Sequence, residues 1–164
     1  MRTNFHVNPG KGFLVGAVAG LVASAAMGTF HSMAGRADPS PQPAKEDSTE
    51  KAAEAVSETV LHHHLTPGEK KAAGPAVHFG FGGFVAGLYG AAVEFAPALR
   101  TGWGLPFGAA VYLGAHVLCV PALGLSEPVT KSSPRKEAVE FGAHLLYGAV
   151  VEGVRSVIVG KYRT

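Results

Sequence analysis

The chain has 164 residues, with 14 Lys and Arg against 12 Asp and Glu and a net charge of +2. That is the length of one domain, read as a single unit over 1–164, and the charge is too small to imply a nucleic-acid partner. One cysteine, Cys119, excludes a disulfide within the chain and argues against a Cys-based metal site.

The charges are segregated. Windows 12–34, 75–99, 101–126 and 138–160 contain only Glu94, Glu140, Glu152 and Arg155 as formal charges. Apolar runs of this length match the ~30 Å hydrocarbon core of a bilayer at a rise of ~1.5 Å per residue. A soluble globule is therefore excluded as the best reading. Of the 22 glycines most fall inside these windows. Glycine is a poor helix former in water, but in lipid small residues let helix backbones approach closely. The sequence predicts an all-α, four-helix transmembrane bundle with the lipid bilayer as its main partner.

The first helix is expected over 11–33. Met1-Arg2, Lys11 and the run that follows have the layout of a secretory signal, but the apolar stretch continues through Met33, longer than such signals. The run is therefore read as a retained helix. Gly12, Gly16, Gly20, Ser24 and Gly28 recur every four residues along it, a small-residue seam for helix packing.

A polar loop, 35–74, follows. Its first part, Asp38-Pro-Ser-Pro-Gln-Pro43, reads as extended. Asp47 and Glu50 form a plausible cap, and Ala52, Ala53, Val56, Val60 and Leu61 then fall at helical spacing, predicting an amphipathic helix over about 48–63. His62, His63 and His64 end it. Three consecutive histidines point in three directions, so they are read as a solvated face, and neither a metal nor another cofactor is expected. Thr66-Pro67-Gly68-Glu69 is a second capping box, opening a short helix that leads towards the next span.

The second span is expected over 75–98, with Pro75 in its first turn. Gly80, Gly83, Gly87 and Gly90 share one face and read as a second packing seam; Glu94 continues that face into the bundle. The link Arg100-Thr101-Gly102-Trp103 is short enough to force an antiparallel hairpin. The third span is expected over 104–124, kinked or stopped by Pro121. The fourth is expected over 136–160. Trp103 and Tyr162 read as interfacial aromatics.

The chain repeats itself. Tyr89-Gly-Ala-Ala-Val-Glu94 recurs as Tyr147-Gly-Ala-Val-Val-Glu152, and Phe13-Leu-Val-Gly16-Ala17 as Leu105-Pro-Phe-Gly108-Ala109. This suggests two helix pairs related as parallel repeats, an arrangement common in transporters.

Ionisable groups at membrane depth are costly and usually paired. Helices two and four run in the same direction, so Glu94, Glu152 and Arg155 are expected near one membrane surface. Arg155 is expected within reach of Glu152, Glu94 or both, as a carboxylate–guanidinium lock; a proton or ion site is the sharper alternative. His31, His78, His116, Glu140 and His144 are expected together near the opposite surface. Their loose spacing favours helix–helix hydrogen bonding over metal binding. No phosphate loop, nucleophile elbow or paired-carboxylate motif is present, which argues against an enzyme.

Lys11-Gly-Phe-Leu-Val-Gly-Ala-Val-Ala-Gly20, Leu65-Thr-Pro-Gly-Glu-Lys-Lys-Ala-Ala-Gly-Pro75, Gly104-Leu-Pro-Phe-Gly108 and Val120-Pro-Ala-Leu-Gly-Leu-Ser126 resemble the small bacterial YagU-like inner-membrane family, a domain of unknown function. The resemblance implies a multi-pass protein of the bacterial inner membrane and brings no catalytic residues. Arg2, Lys11, Arg100, Lys161 and Arg163 flank the spans without nearby acids, which tilts the termini towards the cytoplasm. The functional expectation is a non-enzymatic structural or stress-related membrane component. The alternative is a small transporter or channel for protons, ions or small solutes, acting as a homo-oligomer.

Overall fold

The computed structural model describes residues 7–37 and 47–161. The Pro-rich segment 38–43, Lys45, Tyr162 and the basic residues Arg2 and Arg163 lie outside the described residues.

Among the described residues, five helices carry the fold. α1 is Pro9–Arg36, begun by the Asn8 side chain, whose Oδ1 accepts from the Lys11 N–H at 2.9 Å, with Pro9 at the first helical position. α2 is Ser48–Val56, capped by Asp47 on the Thr49 N–H, and a π-helical turn, Ser57–Leu61, prolongs it. α3 is Pro67–Phe95, opened by the complete Thr66–Glu69 capping box. α4 is Leu105–Ala122, α-helical over Leu105–Val111 and π-helical over Tyr112–Cys119. α5 is Pro134–Lys161. α1, α3, α4 and α5 are the four helices long and apolar enough to cross a membrane.

The expected short helix at Thr66 and the second span are one element. Pro75 does not open α3; it lies inside it. The proline forfeits the bond its N–H would have given the carbonyl of exposed Lys71, where water is available as a substitute, so the loss is cheap. This stretch is also braced by α2: a Cβ on buried Gly74 would sit 3.1 Å from Glu50 Cγ.

Close approach governs the packing. A Cβ at Gly16 would run into the Ala86 carbonyl, one at Gly20 into the Gly82 carbonyl, and one at Gly12 into the Gly90 carbonyl and Glu94. The face that α3 presents is thus Gly82, Ala86 and Gly90, flanked by Gly83 and Gly87. A Cβ on Gly87 would meet the Phe13 ring, and one on Gly83 would lie 3.3 Å from Leu21. Gly80 and Gly28, expected on the seams, face open space. Gly80 lies a step further round α3 than the contact row.

The second hairpin repeats the first. Gly12 faces Gly90 as Gly104 faces Gly148, and Gly16 faces Ala86 as Gly108 faces His144. These equivalences are the ones the sequence repeat requires. Between α3 and α4 a turn of 3-10 helix, Pro97–Arg100, leads to Gly102, Trp103 and Gly104, all with positive φ. At Gly104 the backbone conformation and the adjacent Gly148 carbonyl both demand glycine.

The core is built from Ala19, Ala23, Met27, Ala86, Tyr89, Val93, Ala143, Tyr147 and Val151. Tyr89 stacks on Phe107 at 4.2 Å, joining α3 to α4. α4 is peripheral: 6% of its span is buried, against 39% of each other span.

Candidate functional site: two polar layers joined by α5

Polar side chains gather at the two ends of the bundle. At the end holding the start of α1, the α3–α4 link and the last turns of α5, Glu152 is the centre. Arg155 grips it with two bonds, Nε to Oε2 and Nη2 to Oε1, both 2.9 Å. Arg100 Nε donates to Oε1 at 3.0 Å, and the Tyr89 hydroxyl donates to Oε2 at 3.1 Å. Glu152 and Arg155 are 4% and 3% exposed, so this is a desolvated pair in the fork geometry guanidinium favours. Four donor contacts on two oxygens leave a lock rather than an open ligand.

Glu94 lies near enough for its charge to act on Arg155 but, among the described residues, makes no hydrogen bond in this network. It accepts from the Asn8 backbone N–H at 3.3 Å, at the mouth of the other hairpin. The repeat explains this: Asn8 stands to Glu94 as Arg100 stands to Glu152. Arg100 and Tyr89 are the members of this layer that the sequence reading did not assign. The repeat was the signal for Arg100, since it places a side chain at the hairpin mouth next to the second glutamate.

At the opposite end the histidines pair with carboxylates two by two. His31 Nε2 on α1 lies 3.3 Å from Glu140 Oε2 on α5, within ion-pair range but out of line for a hydrogen bond. His116 Nε2 on α4 lies 3.2 Å from Glu137 Oε2, which also accepts from the Tyr112 hydroxyl at 2.9 Å. His144 turns back on its own helix, with Nδ1 2.7 Å from the Glu140 carbonyl oxygen. Its ring lies 5.8 Å from that of His116 and 5.5 Å from that of Tyr112. His78, expected with these, instead sets Nε2 3.4 Å from the Ser24 carbonyl oxygen on α1.

Glu137 was not among the sequence candidates because it precedes the fourth apolar window. The usable signal was spacing: 137, 140 and 144 fall at i, i+3 and i+7, one face of a helix. Glu137 Oε1 is buried and has no hydrogen-bond partner among the described residues.

α5 is common to everything. It carries Glu137, Glu140, His144, Glu152 and Arg155, and Tyr147 between them donates to the Gly82 carbonyl oxygen on α3. The donors of the His and Glu layer form separate pairs on different helices, which suits fastening α1 and α4 to α5. The same groups, in lipid, are also the kind that exchange protons.

Residues 62–153 match the family described as protein of unknown function (DUF1440), a group that includes the YagU-like proteins. The match covers more than half of the chain, from His62 just after the π-helical turn through Gly153 in α5, and leaves α1 and α2 outside it. The chain belongs to this family. Neither the curated proteins nor the solved structures provide a match to it.

Proposed function

We propose that this DUF1440 membrane protein is a non-enzymatic component of the bacterial inner membrane that acts as a compact helical unit through its packing surfaces and partners. The observation that carries the reading is how the ionisable side chains of α5 are spent. Glu152 and Arg155 satisfy each other together with Arg100 and Tyr89, and Glu140 and Glu137 face His31 and His116 across helix contacts. Glycine-to-carbonyl crossings between these layers leave little room for a solute within one chain. The broad outer face of α4 suits lipid or a second copy of the chain. Termini on the cytoplasmic side complete the proposal.

The second reading is a small transporter or channel for protons, ions or small solutes. It is favoured by the two carboxylate–histidine pairs at one end of the spans and by the π-helical stretch that carries Tyr112 and His116, since such stretches are frequent at functional sites. Purified protein in liposomes separates the two. The first reading expects proton and cation flux equal to that of protein-free liposomes, with or without a pH gradient. Flux that depends on the protein and falls with Glu137→Gln would replace it with the second.

A further inference from the structure

We infer that Glu54, Glu58 and His64 form a binding site for a divalent transition-metal ion of the Zn2+ type, outside the membrane at the junction of α2 and α3. Glu54 and Glu58 lie one turn apart on the same helical face. His64 reaches them because the chain reverses. The π-helical turn Ser57–Leu61 ends in His62, whose φ of 52° is left-handed. Buried Ser57 then fixes the reversal, its Oγ donating to the His63 carbonyl at 2.8 Å. The result sets His64 Nδ1 2.6 Å from Glu58 Oε1 and 3.3 Å from Glu54 Oε1.

The three donor atoms lie within 4.8 Å of one another. Ligands of one zinc ion, each at ~2.0–2.2 Å, stand roughly 3–4 Å apart, so small side-chain adjustments suffice. One imidazole nitrogen with two carboxylates selects zinc-like ions over Mg2+ and Ca2+, which prefer all-oxygen sites. The outer contacts hold a carboxylate in place: Glu54 Oε2 accepts from the Leu65 N–H at 3.0 Å and lies 3.7 Å from Lys70 Nζ. Lys70 on α3 also offsets part of the negative charge. His63 is turned away, its Nε2 3.8 Å from Glu69 Oε1, so the histidine run contributes one ligand rather than three.

The side chain of His64 is 84% exposed and that of Glu58 44%, which leaves coordination positions for water. A bound ion would pin the end of α2 to the segment that starts α3.

The test is calorimetric titration of the untagged full-length protein in detergent micelles with ZnCl2 at constant pH, repeated with CaCl2 and MgCl2. Co2+ absorption reports the nitrogen ligand. One Zn2+ per chain is expected, with no heat from Ca2+ or Mg2+. Glu54→Gln, Glu58→Gln and His64→Ala should each weaken Zn2+ binding by at least about tenfold, the low end of what disturbing even an outer contact does. His62→Ala and His63→Ala should leave it unchanged, and the Co2+ band should vanish in His64→Ala but persist in His63→Ala. Glu58→Gln is the decisive variant, since its half-exposed side chain can change without unfolding the helix, as circular dichroism will verify. Absence of Zn2+ binding, binding indifferent to Glu58→Gln, or binding lost with His62→Ala or His63→Ala would overturn the site.

Discussion

Glu152 and Glu94 occupy equivalent places in the two hairpins yet live in different surroundings. Glu152 is desolvated and held by Arg155, Arg100 and Tyr89, whereas half-buried Glu94 holds one backbone N–H. Removing one member of a buried ion pair strands the other charge, at about 3–5 kcal/mol where the site is dry. Arg155→Ala should therefore destabilise the protein by that order in a denaturant titration in micelles, and Glu94→Ala by about 1 kcal/mol or less. A double-mutant cycle should find strong coupling between Arg155 and Glu152 and a much weaker one between Arg155 and Glu94, whose charge acts only at a distance. Coupling of Arg155 to Glu94 as strong as to Glu152 would show that the two hairpin mouths share one hydrogen-bonded network. The sequence offered both carboxylates as partners because direction and depth alone place them at the same level; it was the Asn8/Arg100 equivalence that separated them. Glu137 stayed hidden for a different reason. Glu137 sits just outside the edge of the fourth apolar window, next to Lys136 and Arg135, while its side chain reaches in to Tyr112 and His116.

Among the elements, the four spans were readable because hydrocarbon imposes length and apolarity together. Their ends were less so, since these depend on caps and on neighbours. The Thr66 capping box was visible, but Pro75 looked like a second start; the support that α2 gives to Gly74 keeps the helix continuous through it. The π-helical course of α4 left no period in the sequence to detect. Glycine seams were legible on α1 and displaced on α3, because Ala86 carries a contact that a count of glycines passes over. The packing makes a sharp distinction between glycines. Gly16→Leu and Gly108→Leu each drive a side chain into a backbone carbonyl, of Ala86 and His144 respectively. Either should cost at least ~1–3 kcal/mol, the usual range for overpacking, or prevent assembly altogether. At Gly28 and Gly80 an added Cβ meets nothing within 4 Å, so Gly28→Leu and Gly80→Leu should leave the thermal midpoint of the purified protein nearly unchanged. Equal losses at all four positions would mean that the outer faces are also packed, as in an oligomer.

On the scale of the whole molecule, two hairpins with matching contacts are fastened through one helix, α5, at both ends. Such a design concentrates polar bonds where the chain leaves the membrane and fills the middle with Ala, Gly and aromatic contacts. The arrangement depends on four crossings that put the His and Glu layer at one membrane face and the Glu152 lock at the other. Site-directed labelling tests that directly. In a Cys119→Ser background, single cysteines at Ser48, Ser133 and Thr101 should be probed in sealed vesicles with a membrane-impermeant thiol reagent. The four-span bundle predicts that Ser48→Cys and Ser133→Cys react from the same side and Thr101→Cys only from the opposite side. Reaction of all three positions from one side would contradict it.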